Sequence, residues 1–255
     1  MKVYLDNAAT TPMAKEVIDE ITPFIATYFG NPSSTHYFGR QTKNAIEITR
    51  KRIADSINAK SNEIVFTSGG TEADNMALRC AVTDLKVERI ITSKLEHHAV
   101  GHTAENLKKQ FNTEIIYLSV DELGNPSIDE LENFLNEDKK TLVSLMHANN
   151  EIGTLLPIER VAHLCNQFDN VYFHSDTVQT MGHYNFNVEE LNIDFLTCSA
   201  HKLHGPKGIG FLYINNSIAI NPIITGGSQE RNQRGGTENL SGIVGLGKAI
   251  ELSFS

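Results

Sequence analysis

The stretch Asp194-Phe-Leu-Thr-Cys-Ser-Ala-His-Lys202-Leu-His-Gly-Pro-Lys207-Gly-Ile-Gly-Phe-Leu-Tyr-Ile214 decides how this chain is read. Two short apolar runs, Asp194–Cys198 and Ile209–Ile214, have the length and composition of buried strands. A polar, glycine-rich turn with two lysines separates them. Lys202 follows the first strand directly, so its amine is expected to be partly desolvated, which lowers its pKa and favours imine chemistry. Lys207 lies inside the Gly-Pro-Lys-Gly turn and reads as structural or exposed.

Outward from this segment the same alternation repeats. Glu63–Thr67, Arg89–Thr92, Glu114–Leu118, Thr141–Leu145 and Val171–His174 also read as strands. Thr71–Val82, Val100–Gln110, Ser127–Asn136 and Ile158–Phe168 carry helical periodicity. Two further helices are expected near Ala14–Tyr28 and Arg40–Asn58, and a last one over Ser241–Leu252. Ser127 ahead of Ile128-Asp129-Glu130 forms a capping-box pattern, and Pro157 suits a first helical turn. The pattern predicts an α/β fold: a mostly parallel sheet with helices on both faces. Ligands of such sheets sit at the carboxyl ends of the strands.

The chain has 255 residues, with 22 Lys plus Arg against 31 Asp plus Glu, for a formal net charge of −9. That balance argues against general affinity for nucleic acid or anionic membranes. Cys80, Cys165 and Cys198 are too few and too scattered for a disulfide framework or a zinc ribbon. The N-terminus has no apolar signal region and no stretch is long enough to span a bilayer, so the expected compartment is the cytoplasm.

The residues following each strand carry the chemistry. Ser68-Gly69-Gly70-Thr71-Glu72 opens a helix, either as a phosphate cup or as a glycine-rich turn capped by Thr71. It matches neither a Walker A loop nor the dinucleotide-binding glycine fingerprint. Asp176 either pairs a protonated pyridine nitrogen or caps the next helix, and Gln179 is placed to donate to a ring oxygen. Ser199 and His201 flank Lys202 as phosphate donors. His97 is placed to stack on a ring or shuttle protons, and Asn150 lies in another polar strand end. Each residue alone is ordinary. Together, five strand ends carry what one phosphorylated aromatic aldehyde needs, which points to pyridoxal 5′-phosphate (PLP). His98 and His102, four apart, lack a third ligand nearby, so no metal is expected.

These segments closely resemble the cysteine desulfurases, fold-type I PLP enzymes of aminotransferase class V. The resemblance rests on Tyr4-Leu-Asp-Asn-Ala-Ala-Thr-Thr-Pro12, Gly30-Asn-Pro-Ser-Ser-Thr-His36, Thr67-Ser-Gly-Gly-Thr-Glu72, Glu96-His97-His98 and His147-Ala-Asn-Asn-Glu-Ile-Gly153. It continues through Asp176-Thr-Val-Gln179, Ser199-Ala-His-Lys202 and Arg234-Gly-Gly-Thr-Glu-Asn239, in family order over nearly the whole chain. It implies that Lys202 forms the Schiff base and later acts as general base, while His97 stacks on the ring and assists proton transfer. It further implies that Asp176 pairs the ring nitrogen and Gln179 contacts the phenolic oxygen. Thr71, Ser199 and His201 are then phosphate ligands, Gly70 is cofactor-binding, and Asn150 contacts cofactor or substrate. Thr237 would reach the phosphate of a neighbouring subunit, implying a homodimer.

The implied reaction takes sulfur from L-cysteine, leaves L-alanine and passes the sulfur as a persulfide to an acceptor protein, whether for iron–sulfur cluster assembly, tRNA thiolation or another route. Family members continue into a smaller C-terminal domain with the persulfide cysteine and a carboxylate-binding arginine. Neither has a matching position here, since the three cysteines read as buried and Arg231 and Arg234 come too early. Residues 1–255 are therefore expected to be a PLP-binding large domain, with 1–15 belonging to the active-site region and the small C-terminal domain missing. A selenocysteine lyase, another class V enzyme, or a non-catalytic PLP- or partner-binding fragment are the alternatives.

Overall fold

A computed structural model describes residues 1–254. Seven strands form one sheet: β1 (Ile64–Thr67), β2 (Arg89–Thr92), β3 (Glu114–Tyr117), β4 (Thr141–Ser144), β5 (Val171–Asp176), β6 (Phe195–Ser199) and β7 (Gly210–Ile214). Their order is β1-β7-β6-β5-β4-β2-β3. β2 pairs parallel to β3 and β4, β4 to β5 and β5 to β6, whereas β7 runs antiparallel to both β6 and β1. One strand is thus reversed and the other six share a direction. The reason is local: the Ala200–Ile209 link is too short for a crossover, so β7 folds back beside β6.

Eight helices accompany the sheet among the described residues: α1 (Lys15–Ala26), α2 (Tyr37–Ser56), α3 (Gly70–Thr83), α4 (His98–Phe111), α5 (Ile128–Leu135), α6 (Ile158–Cys165), α7 (Val188–Leu191) and α8 (Leu240–Ser253). Neighbouring residues of each strand point to opposite faces, and the core divides accordingly. Val65, Ile90, Leu142, Phe195 and Leu212 join Met76 and Ala77 of α3 and Val100 and Leu107 of α4. Phe66, Ile91, Val143, Leu196 and Phe211 join Val17, Ile53, Leu131, Val161 and Leu246 from α1, α2, α5, α6 and α8. Each such side chain contributes about 1.5–3 kcal/mol by leaving water. Truncating one at the centre, such as Leu142→Ala, costs about 2–5 kcal/mol.

Two local expectations need correction. The Ser127 hydroxyl accepts from the Glu130 amide at 3.2 Å, but the Glu130 carboxylate takes the Ser119 amide instead of that of Ser127, so the capping box is half made. β5 runs two residues further than its apolar stretch suggests. Asp176 is consequently the last residue of a buried strand, facing the same side as His174.

Candidate active site

Because six strands share a direction, the segments after β1, β2, β4, β5 and β6 meet along one edge of the sheet. A cavity of about 430 Å³ opens there. It is lined by Gly70 and Thr71 after β1, His97 after β2, Asn150 after β4, Asp176 and Gln179 at β5, and Ser199, His201 and Lys202 after β6. Asp6, Ala8 and Ala9 of the N-terminal segment close it. Thr11 ties that segment down: its amide and hydroxyl both donate to the His201 carbonyl at 2.9 Å. A larger cleft of about 610 Å³ near Tyr184 and Phe186 is lined by neither lysine nor glycine.

The α3 end of the cavity is shaped by two glycines. Gly69 has φ +149°, a conformation that side-chain-bearing residues avoid. A Cβ on Gly70 would come within 2.7 Å of Val178 Cγ2. The backbone therefore enters α3 close to the cavity, with the buried Ser199 beside Gly69 and the positive end of the helix dipole facing in. Gly69, not Thr71, holds the capping position, so Thr71 projects from the first turn. His201 Nδ1 meets the Thr10 hydroxyl at 3.0 Å.

Lys202 ends the 3₁₀ turn Ala200–Lys202 that follows β6. Its Nζ donates to the carbonyls of Ala8 and Ala9, the latter at 2.9 Å. Burial holds its pKa below that of a free lysine, against the opposing pull of Asp176 and Asp6. Lys207 is exposed and outside the cavity. Gln179 Nε2 donates to the Ala8 carbonyl at 3.0 Å, and the Asn150 amide to Glu151 at 2.6 Å. His97 caps α4 by accepting the Ala99 amide on Nδ1 at 3.1 Å, which leaves the proton of the neutral ring on Nε2.

The opposite end is acidic. Asp176 is buried and accepts the Val178 amide at 2.9 Å. Burial and the nearby Asp74 push its carboxyl up to about 7. Asp74, on α3, also lines the cavity, and its Oδ1 has no hydrogen-bond partner among the described residues. The adjacent Glu96 is likewise buried and pushed well above the carboxylate range by burial, with Oε2 unpartnered. An acidic group beside a protonated ring nitrogen and a glycine-rich helix start beside a phosphate are the donor set PLP requires, so the residues present fit the cofactor.

Every cofactor residue expected from sequence lines this cavity except Thr237, which lies in a separate cleft of about 140 Å³ with Ser68, Arg234 and Glu238. Sequence reasoning missed Asp74. A signal existed: a carboxylate stands among Gly70, Ala73, Ala77 and Ala81 on the buried stripe of α3. His98 and His102 stack 4.9 Å apart on the exposed side of α4.

A reversed strand beside a parallel sheet, with a lysine after one strand and a buried aspartate ending its neighbour, defines an α/β protein built to hold a phosphorylated aldehyde cofactor. The chain belongs to the aminotransferase class-V family, whose model matches residues 3–255. It is 54% identical to the cysteine desulfurase IscS of Dictyoglomus turgidum and 49% identical to that of Clostridium botulinum strain Hall. In both cases 99% of this chain is covered, and it spans 64% of the relative's length. Among solved structures, a NifS-like protein superposes with a TM-score of 0.95 at 39% identity, covering 100% of this chain and 70% of that one. SspA in complex with cysteine gives 0.93 at 36%, covering 98% and 72%. Class V aminotransferases and cysteine desulfurases are PLP-dependent.

Proposed function

We propose that residues 1–255 form the PLP-binding large domain of a cysteine desulfurase, which takes sulfur from L-cysteine, leaves L-alanine and hands the sulfur to an acceptor protein. The observation carrying this reading is the convergence of half-buried Lys202 and buried Asp176 on one cavity whose other end is the start of α3. The relatives' names and the cysteine bound in SspA support the substrate.

In this reading the Gly70 and Thr71 backbone, the Ser199 hydroxyl and the His201 ring bind the phosphate, and Asp176 pairs the ring nitrogen. Gln179 leaves the Ala8 carbonyl for the phenolic oxygen, His97 covers the ring, and Asn150 contacts cofactor or substrate. When bound, PLP supplies an electron sink for the pair left on the substrate Cα. Lys202, kept partly desolvated, would hold the cofactor covalently until the substrate amine displaces it, and the freed neutral amine would then take the Cα proton. His97, on the cavity wall, is the second proton carrier. Thr237, outside the cavity, serves a second copy of the chain, making the working unit a cytoplasmic homodimer. Cys80, Cys165 and Cys198 take no part in sulfur transfer: all three are buried, and burial pushes their thiols up, Cys80 to about 12.

Borohydride reduction after PLP addition, followed by peptide mass mapping, tests the assignment. A pyridoxyl group on Lys202 is expected, and one on Lys207 or scattered over surface lysines overturns it. Alanine formed from L-cysteine, compared with L-selenocysteine, then reads the substrate. An adduct without alanine from either reduces the chain to a cofactor-binding fragment.

A further inference from the structure

The face of the sheet covered by α3 is apolar except at its carboxyl edge, where five polar side chains from four elements form one buried layer. Asp176 and His174 project from β5, two residues apart and therefore on the same side. Ser144 of β4, Thr197 of β6 and Asp74 of α3 complete it. His174 is fully buried; its Nδ1 meets the Ser144 hydroxyl at 2.9 Å and its Nε2 the Thr197 hydroxyl at 3.1 Å. The same Nε2 lies 3.4 Å from Asp74 Oδ1, an atom shielded from water and without a hydrogen bond of its own. Asp74 is 1% exposed, yet it borders the cavity beside Asp176.

A buried carboxylate with one oxygen left without a hydrogen bond is costly, and an apolar residue at this position of α3 would pack at no such cost. Its place at the cavity wall points to a positive charge arriving from the cavity. We propose that Asp74 is a positioning residue: with His174 and Thr197 it stands behind Asp176 as a second carboxylate, so that a cationic ring nitrogen held by Asp176 faces two acidic groups. The inference rests on the PLP reading of the cavity. The groups facing Asp74 are His174 and Asp176 of β5, Thr197 of β6, Glu96 ahead of α4 and, across the cavity, His97 and Lys202. Burial pushes the Asp74 carboxyl up to about 7, with the Thr197 hydroxyl opposing, so a cation in the cavity draws it into the charged form.

The test loads the full chain with PLP labelled with ¹⁵N in the ring and follows the ¹⁵N shift against pH, which reports protonation of that nitrogen directly. Asp74→Asn removes the second charge. Its expected effect is a fall of about one pH unit or more in the midpoint of ring-nitrogen deprotonation, as for a nearby unit charge at an effective dielectric of about 20. Asp74→Glu restores the midpoint toward the unsubstituted value. Should Asp74→Asn not fold, Thr197→Val keeps the shape, removes the hydroxyl that favours the Asp74 carboxylate, and lowers the midpoint by a smaller amount. A midpoint unchanged in the folded variants, even with a lower melting temperature, overturns the proposal by making Asp74 merely structural. Borohydride mapping on the unsubstituted chain separates the two claims. Absence of a pyridoxyl group on Lys202 overturns the PLP reading itself and this inference with it.

Discussion

Two buried clusters of ionisable side chains sit on this sheet, and they are built in opposite ways. Arg50 of α2 and Glu230 form a two-pronged ion pair, at 2.6 and 2.9 Å, each with a side chain 3% exposed. The remaining capacity is used: Arg50 also donates to the Ile64 carbonyl at 2.8 Å, Glu230 accepts the Phe66 amide at 2.9 Å, and the guanidinium lies 4.6 Å over the Phe66 ring. The pair holds Glu230, Arg231 and Asn232 against β1 although all three have positive φ, between +45° and +68°. At the cavity, by contrast, Asp74 and Asp176 are buried without an arginine or lysine ion pair among the described residues, and burial pushes both carboxyls up to about 7. A charge buried with its partner needs nothing more and marks structure; acids buried without one on a cavity wall are placed to meet a ligand's charge.

That contrast can be broken by substitution. The largest effect expected is at Lys202: Lys202→Ala abolishes the reducible PLP adduct outright, read by peptide mass, with the melting temperature unchanged within a few degrees. Next is Arg50→Ala, which strands Glu230 and costs about 3–5 kcal/mol in denaturant unfolding. The double change Arg50→Met with Glu230→Leu recovers most of that stability. A loss under about 1 kcal/mol for Arg50→Ala would erase the distinction between the clusters. Asp176→Asn acts in the reverse sense. PLP affinity falls about 10- to 100-fold, the worth of a charge-assisted bond, while the cofactor-free chain unfolds no more readily at pH 8. Equal destabilisation by Asp176→Asn and Arg50→Ala would mean that Asp176 is also a structural acid.

Much of this was legible in the sequence because it is local. The strand runs are short and apolar, and Gly69-Gly70, Asp176 and Lys202 follow or end strands, so the shared direction of six strands suffices to gather them. What stayed hidden depends on pairs distant in the chain. Glu230 shows nothing in its own neighbourhood that announces Arg50, and Asp74 resembles any helix acid until α3 is seen lying against His174. The reversal of β7 was latent in the length of the Ala200–Ile209 link. The half-made capping box failed because Ser119, eleven residues away, competes for Glu130.

The smallest expected effect, and the sharpest on the comparison, is on stability against pH. Asp176, Asp74 and Asp194 have carboxyls pushed up to about 7 in the fold, in each case by burial first. Each therefore contributes stability that is complete below the unfolded pKa of about 4 and is lost as pH rises through about 7. His147, His174 and His201, all lowered by burial, work the other way, so that their stability is present above about 6.5 and lost as pH falls. PLP adds a cation only at the cavity. It should offset the penalty of ionising Asp176 but not that of Asp194, which lies off the cavity and accepts the Phe173 amide at 2.7 Å. Melting curves with and without PLP should show a larger increment at pH 8 than at pH 5.5, by about 1–2 kcal/mol, the worth of roughly one pKa unit. In Asp176→Asn that pH dependence should shrink, and in Asp194→Asn it should persist. If both variants keep it, the increment comes from the phosphate end, and the acidic end of the cavity is not where the cofactor's charge is met.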